Sequence, residues 1–166
     1  VVVWDVDKGV PQKELLGHTE NVTALVALPG HKLASGSADF TVRVWDATTG
    51  LCAHRLEGHE SPVSTLAWLE DGTLVSASFW RIHVWDLNTG VRLKHLSSGF
   101  ASAKRVVGLV PGMLAAASMF GHVGVFDISS GARIHLMDGH SNENVSLCVL
   151  PDKRLVSAAL DGSVRL

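Results

Sequence analysis

Gly17-His18-Thr19-Glu20-Asn21 leads into Val22-Thr23-Ala24-Leu25-Val26-Ala27-Leu28-Pro29-Gly30, and the same stretch runs on through Leu33-Ala34-Ser35-Gly36-Ser37-Ala38-Asp39-Phe40 to close at Thr41-Val42-Arg43-Val44-Trp45-Asp46. Its closing dipeptide recurs as Trp4-Asp5, Trp85-Asp86 and Phe126-Asp127, so the four copies are 41, 40 and 41 residues apart. Its opening dipeptide keeps the same interval, as Gly17-His18, Gly58-His59, Gly99-Phe100 and Gly139-His140, spaced by 41, 41 and 40 residues. Two markers in phase define a tandem repeat. Within each unit, short apolar runs alternate with turn formers, which predicts three strands. A fourth, more polar segment follows as Leu51–Leu56, Val91–Leu96 and Ala132–Met137. No apolar stripe at helical spacing is sustained anywhere, so the chain reads as all-β.

A repeat of about 40 residues with Gly-His near one end and Trp-Asp near the other resembles the WD-repeat β-propellers, and the resemblance covers essentially the whole chain. It implies four-stranded antiparallel blades, in units of about 17–57, 58–98, 99–138 and 139–166, with 1–16 as the end of a preceding unit. Members of the family usually close with seven or eight blades, within the four to eight known for propellers. The expectation is therefore a segment of a larger ring. The alternative is a half-ring that pairs with a second copy and so covers its open strand edges.

The resemblance also implies a buried hydrogen-bonded chain in each blade, from the Gly-His histidine through a serine to the Trp, with a turn aspartate as the other anchor. The first unit supplies His18, Ser35 or Ser37, Asp39 and Trp45, and the last supplies His140, Ser157 and Asp161. The second keeps His59, Ser76 and Trp85, but its turn is one residue shorter and carries Phe79-Trp80, leaving His59 without its expected acceptor. The third replaces the set with Phe100, Ala116, Phe120 and Phe126. Replacing every polar partner by apolar groups of suitable shape can be nearly neutral, whereas losing one partner costs about 1–3 kcal/mol, so the third blade is expected to fold. Ser, His and Asp together suggest a nucleophile, base and orienter. Recurrence once per unit fits a packing device better than a single catalytic cleft.

The turns that carry these residues also present Phe40, Phe79, Trp80, Met119, Phe120 and Leu160 along one rim. Two readings of this arc stand: binding anchors for a protein or peptide, or side chains tucked under neighbouring turns. The rim is shared with the polar loops Thr19-Glu20-Asn21, Glu60-Ser61-Pro62 and Ser141-Asn142-Glu143. Nine histidines raise the question of a metal, but His54, His95 and His135 recur on separate units, where equivalent positions cannot converge on one ion. No cofactor or metal is expected.

The net charge of −2 and the scattered basic residues, with Lys104-Arg105 the nearest thing to a cluster, give no nucleic-acid footprint. Val1-Val2-Val3 is too short for a membrane span. Cys52 and Cys148 fall in different units without framework spacing, which points to reduced thiols and an intracellular, cytoplasmic setting. Asn21-Val22-Thr23 and Asn144-Val145-Ser146 fit the glycosylation pattern but fall where an inner strand begins. Gly-rich phosphate loops, zinc-spaced cysteines and nucleophile elbows are missing, and Glu70-Asp71 reads as a solvated turn. The expectation is a non-enzymatic interaction scaffold in a multiprotein complex, the alternatives being a purely architectural subunit or a propeller-type enzyme.

Overall fold

The computed structural model describes residues 1–97, 99 and 102–166. Seventeen strands form five antiparallel sheets among these residues. The first is a pair, β1 (Val2–Asp5) and β2 (Val10–Glu14). Blade 1 comprises β3 (Val22–Leu28), β4 (Lys32–Ser37), β5 (Val42–Asp46) and β6 (Cys52–Leu56). Blade 2 comprises β7 (Thr65–Trp68), β8 (Thr73–Ala77), β9 (Arg81–Asp86) and β10 (Arg92–Ser97). Blade 3 comprises β11 (Ala103–Val110), β12 (Met113–Ser118), β13 (Val123–Asp127) and β14 (Arg133–Met137). Blade 4 comprises β15 (Asn144–Val149), β16 (Leu155–Ala159) and β17 (Val164–Arg165). Each sheet pairs its strands in sequence order, and the first strands β3, β7, β11 and β15 touch along the series, as a β-propeller requires. Phe100 falls outside the described residues.

Turn chemistry explains the strand breaks. Asp46, the second residue of the Trp-Asp marker, accepts the N–H groups of Thr48 and Thr49 at 2.8 and 2.9 Å, which folds the chain back from β5 to β6. These bonds hold its carboxyl below the usual carboxylate range, the Thr49 N–H contributing most. Asp127 makes the same turn with Ser130, whose N–H leads the groups that hold its carboxyl down at about 2. Gly50 completes the first of these turns at φ 81°, a conformation that glycine adopts without steric cost.

Hydrophobic burial lies between sheets rather than within them. One cluster joins blades 1 and 2, with Leu28, Val42, Val44, Leu56, Val63, Leu74 and Trp85. A second joins blades 2 and 3 around Ile82, Leu96, Leu114 and Phe126, and a third joins blades 3 and 4 around Ala117, Val123 and Leu147. A blade is half-buried on both faces only when it has neighbours, so stability accumulates through nearest-neighbour interfaces. Hydroxyls clasp the interfaces as well: Thr23 donates to the Val63 carbonyl and Ser64 to the Ala103 carbonyl of the following blade. Lys104 follows Ala103 as Ser64 follows Val63, and it reaches forward instead through an ion pair with Glu143 at 3.3 Å.

Candidate functional site

The rim is built by two kinds of loop tied to each other. Ala38 N–H donates to the Asn21 carbonyl, Phe79 N–H to Ser61 Oγ, Met119 N–H to the Ser102 carbonyl and Leu160 N–H to the Glu143 carbonyl. In each blade, the turn between the second and third strands is thus fastened to the loop that enters the first strand.

Beneath the rim of blade 1, Trp45 Nε1–H donates to Ser35 Oγ at 2.7 Å. Ser35 Oγ lies 2.7 Å from His18 Nε2, and His18 Nδ1 lies 2.8 Å from Asp39 Oδ2. Ser37 does other work: its hydroxyl donates to the Glu20 carbonyl and accepts from Asp39 N–H. Burial acts to raise the Asp39 pKa, but hydrogen bonds from Thr41, His18 and the Thr41 and Thr19 amides outweigh it and hold the carboxyl well below its ordinary range. Because the folded pKa is depressed, this stabilisation is present above pH about 4 and is lost as pH falls further.

Blade 4 repeats the arrangement, with His140 Nε2 at 2.8 Å from Ser157 Oγ and Nδ1 at 3.1 Å from Asp161 Oδ2. Blade 3 brings Ala116 and Phe126 together, both 0% exposed, in place of serine and indole.

Blade 2 corrects the expectation that His59 lacks an acceptor. Its Nε2 lies 2.6 Å from Ser76 Oγ, which accepts Trp85 Nε1–H, and its Nδ1 lies 2.9 Å from Ser78 Oγ. Shortening the turn leaves Ser78, which stands two residues after Ser76 as Ser37 stands two after Ser35, within reach of the ring. A second histidine joins it: His83 stacks on His59 with ring centroids 4.1 Å apart and 16° between planes.

Register explains why His83 is there. Ser35 pairs with Arg43, Ser76 with His83 and Ala116 with Gly124, so these three third-strand residues are equivalent. Arg43 lays its guanidinium against Gly17, and Arg165 of blade 4 lies against Gly139. In blades 2 and 3, the guanidinium comes from the fourth strand instead, as Arg92 against Gly58 and Arg133 against Gly99. Cys52, Arg92 and Arg133 hold one register position opposite Trp45, Trp85 and Phe126. A cation against the marker glycine is therefore kept in space while its source strand changes. Recurrence of arginine at either of two offsets is the sequence signal for it.

The rim side chains are unevenly exposed. Phe40, Phe79, Trp80, Phe120 and Leu160 are 43, 38, 58, 56 and 62% exposed, while Met119 is half-buried. Phe79 does not tuck away beneath Trp80; the two rings meet edge to face at 4.7 Å. Phe40 has φ 70°, whereas the positions equivalent to it in blades 3 and 4 are Gly121 at φ 84° and Gly162 at φ 78°. Asn144 is fully buried and donates to the Ser118 and His122 carbonyls, and both cysteines are exposed and unpaired. Among the described residues, no helix is long and apolar enough to cross a membrane.

Comparison with known proteins agrees with this architecture. The model of the WD domain, G-beta repeat, matches residues 9–46, 50–86 and 131–166, about two thirds of the chain. The F-box/WD repeat-containing protein sel-10 of Caenorhabditis elegans is 35% identical over 98 residues, 57% of this chain and 16% of its own length. The DENN domain and WD repeat-containing protein SCD1 of Arabidopsis thaliana is 31% identical over 157 residues, 92% of this chain and 13% of its own. This chain thus spans under a fifth of either relative. The computationally designed Ika8 protein superposes with a TM-score of 0.85 at 31% identity, covering 98% of this chain and 50% of that one. On the matched repeats, the phased markers and the propeller sheets, the chain belongs to the WD-repeat family, whose members are generally protein-interaction scaffolds in complexes.

Proposed function

We propose that the chain is a non-enzymatic docking module that holds a protein or peptide partner on the rim formed by Phe40, Phe79, Trp80, Met119, Phe120 and Leu160. The observation that carries this reading is Phe40. Among the described residues, four non-glycine residues have positive φ; of these Phe40 is the one large apolar side chain, and it is half exposed. A bulky side chain in the left-handed region costs about 1–2 kcal/mol, and its ring fills no core that would offset the cost. Blades 3 and 4 use glycine at the same point, so the fold does not need the ring. Contact with another molecule gives it a use. The exposed, edge-to-face Phe79–Trp80 pair next along the rim supplies the kind of aromatic anchor that dominates protein interfaces. Exposed free thiols at Cys52 and Cys148 suit a reducing compartment, which supports an intracellular, cytoplasmic setting.

The test is affinity capture from the native cell extract with the chain as it stands and with a Phe79→Ser, Trp80→Ser double variant whose fold is verified by circular dichroism. Loss of specific partners from the folded variant is the expected result. An unchanged partner set overturns the rim assignment and moves docking to the outer strands β6, β10 and β14.

A further inference from the structure

Blade 2 keeps a buried Gly-His histidine, as blades 1 and 4 do, but differs from them in pairing it with Ser78 rather than with an aspartate. Among the described residues, the histidines in ion pairs are His18, His122 and His140, with Asp39, Asp138 and Asp161. His59 and His83 are 6% and 2% exposed and face each other, and His83 Nδ1 is buried without a hydrogen-bond partner. The charged and titratable groups acting on the pair are all basic: Arg92 and His95 on β10 and Arg81 at the start of β9. The third strand carries Arg43 or Arg165 in blades 1 and 4, cations whose charge does not change with pH. Blade 2 has an imidazole there instead.

We propose that the stacked His59–His83 pair is an acid-sensitive latch that opens the Ser78–Trp80 turn and so releases whatever the Phe79–Trp80 surface holds. The release half of this inference rests on the docking reading given above; the opening half does not. His59 Nδ1 grips Ser78 Oγ, and Ser78 N–H closes the turn onto the Arg81 carbonyl at 2.9 Å. A proton added to either ring places one positive charge against the other imidazole and the Arg92 guanidinium, with no carboxylate to receive it. Opening lets water take up that charge. Burial first, and the neighbouring cations second, hold His59 down at about 4 and His83 at about 3. An opened turn exposes histidines that titrate near 6.5. Between those values the open state binds more protons than the closed one, so opening becomes more favourable as pH falls from about 6.5 towards 4. At pH 5, linkage through His59 alone favours opening on the order of 30-fold relative to the fully deprotonated limit.

The experiment is amide hydrogen exchange of the whole chain at pH 7 and pH 5, corrected for intrinsic chemical exchange, comparing the segment Ser76–Ile82 with Ser35–Val42 of blade 1. Protection of the blade 2 segment is expected to fall tenfold or more while blade 1 holds. A His59→Gln, His83→Phe variant removes both titrating rings, and a Ser78→Asp, His83→Phe variant leaves His59 as the single ring and gives it a carboxylate partner of the kind Asp39 supplies to His18 in blade 1. Either variant, once folded, is expected to show a much smaller pH response. Equal responses of the two blades in the unsubstituted chain overturn the latch, as does an undiminished response in a folded variant. Partner capture that survives the Phe79→Ser, Trp80→Ser change overturns the docking reading alone.

Discussion

Blade 1 and blade 3 have the same four-strand order and opposite interiors. In blade 1, Trp45, Ser35, His18 and Asp39 form a relay of hydrogen bonds from the core to the rim, each donor matched by an acceptor. In blade 3, Ala116 and Phe126 take the places of the serine and the indole, and both are fully buried. The comparison teaches that the fold requires the slot to be filled and its polar atoms satisfied, and that it does not require this particular polar set. Alanine and phenylalanine in place of serine and indole meet both conditions at those two positions, because they leave no polar side-chain atom there to satisfy. The family match reflects the difference: it covers the marker residues of blade 1 and omits 87–130, which holds most of blade 3, although the sheet there is complete.

The largest break comes from removing the pillar. Trp45→Ala is expected to cost about 3–5 kcal/mol in urea denaturation, from lost burial and the cavity left behind. A cost under about 1 kcal/mol would show that neighbouring blades, not the indole, hold blade 1 together.

Mixing the two chemistries sharpens the comparison at intermediate scale. Ser35→Ala deprives both Trp45 Nε1 and His18 Nε2 of their partner, and Ala116→Ser buries a hydroxyl among apolar groups. Each is expected to destabilise by about 1–3 kcal/mol. If Ala116→Ser is silent, blade 3 has room for a water or an alternative acceptor and its interior is not the dry counterpart of blade 1.

The smallest effect has the opposite sign. Phe40→Gly gives blade 1 the turn residue found in blades 3 and 4 and is expected to stabilise the chain by about 1 kcal/mol while weakening partner capture. A destabilised variant would mean that the ring contributes to folding, and the strain argument for docking would fail.

Particular residues show how much was legible beforehand. The strands, their order and the all-β class followed from the phase of the Trp-Asp and Gly-His markers, since alternation and turn chemistry act over a few residues and are local. The spacing of 17 residues from His18 to Ser35, His59 to Ser76 and His140 to Ser157 is the same in the three blades where the relay is found. Ser35 and Ser37 could not be separated in advance, because they point to one face of the same strand and only the position of the loop carrying His18 chooses between them. Ser78 as the stand-in for aspartate depended on how a shortened turn closes. The His59–His83 stack depended on two residues 24 apart reaching one layer.

Sequence by itself determined the repeat, the antiparallel blades and the supply of aromatic residues to one rim, because period, pattern and turn residues are written along the chain. Tertiary structure alone decided which rim rings stay in solvent, that Phe40 sits in the left-handed region, and that the guanidinium against Gly17, Gly58, Gly99 and Gly139 comes from the third strand in two blades and the fourth in two others. Those outcomes depend on register and on the neighbouring blade, and a side chain's burial, partner and charge state are properties of what packs against it in space.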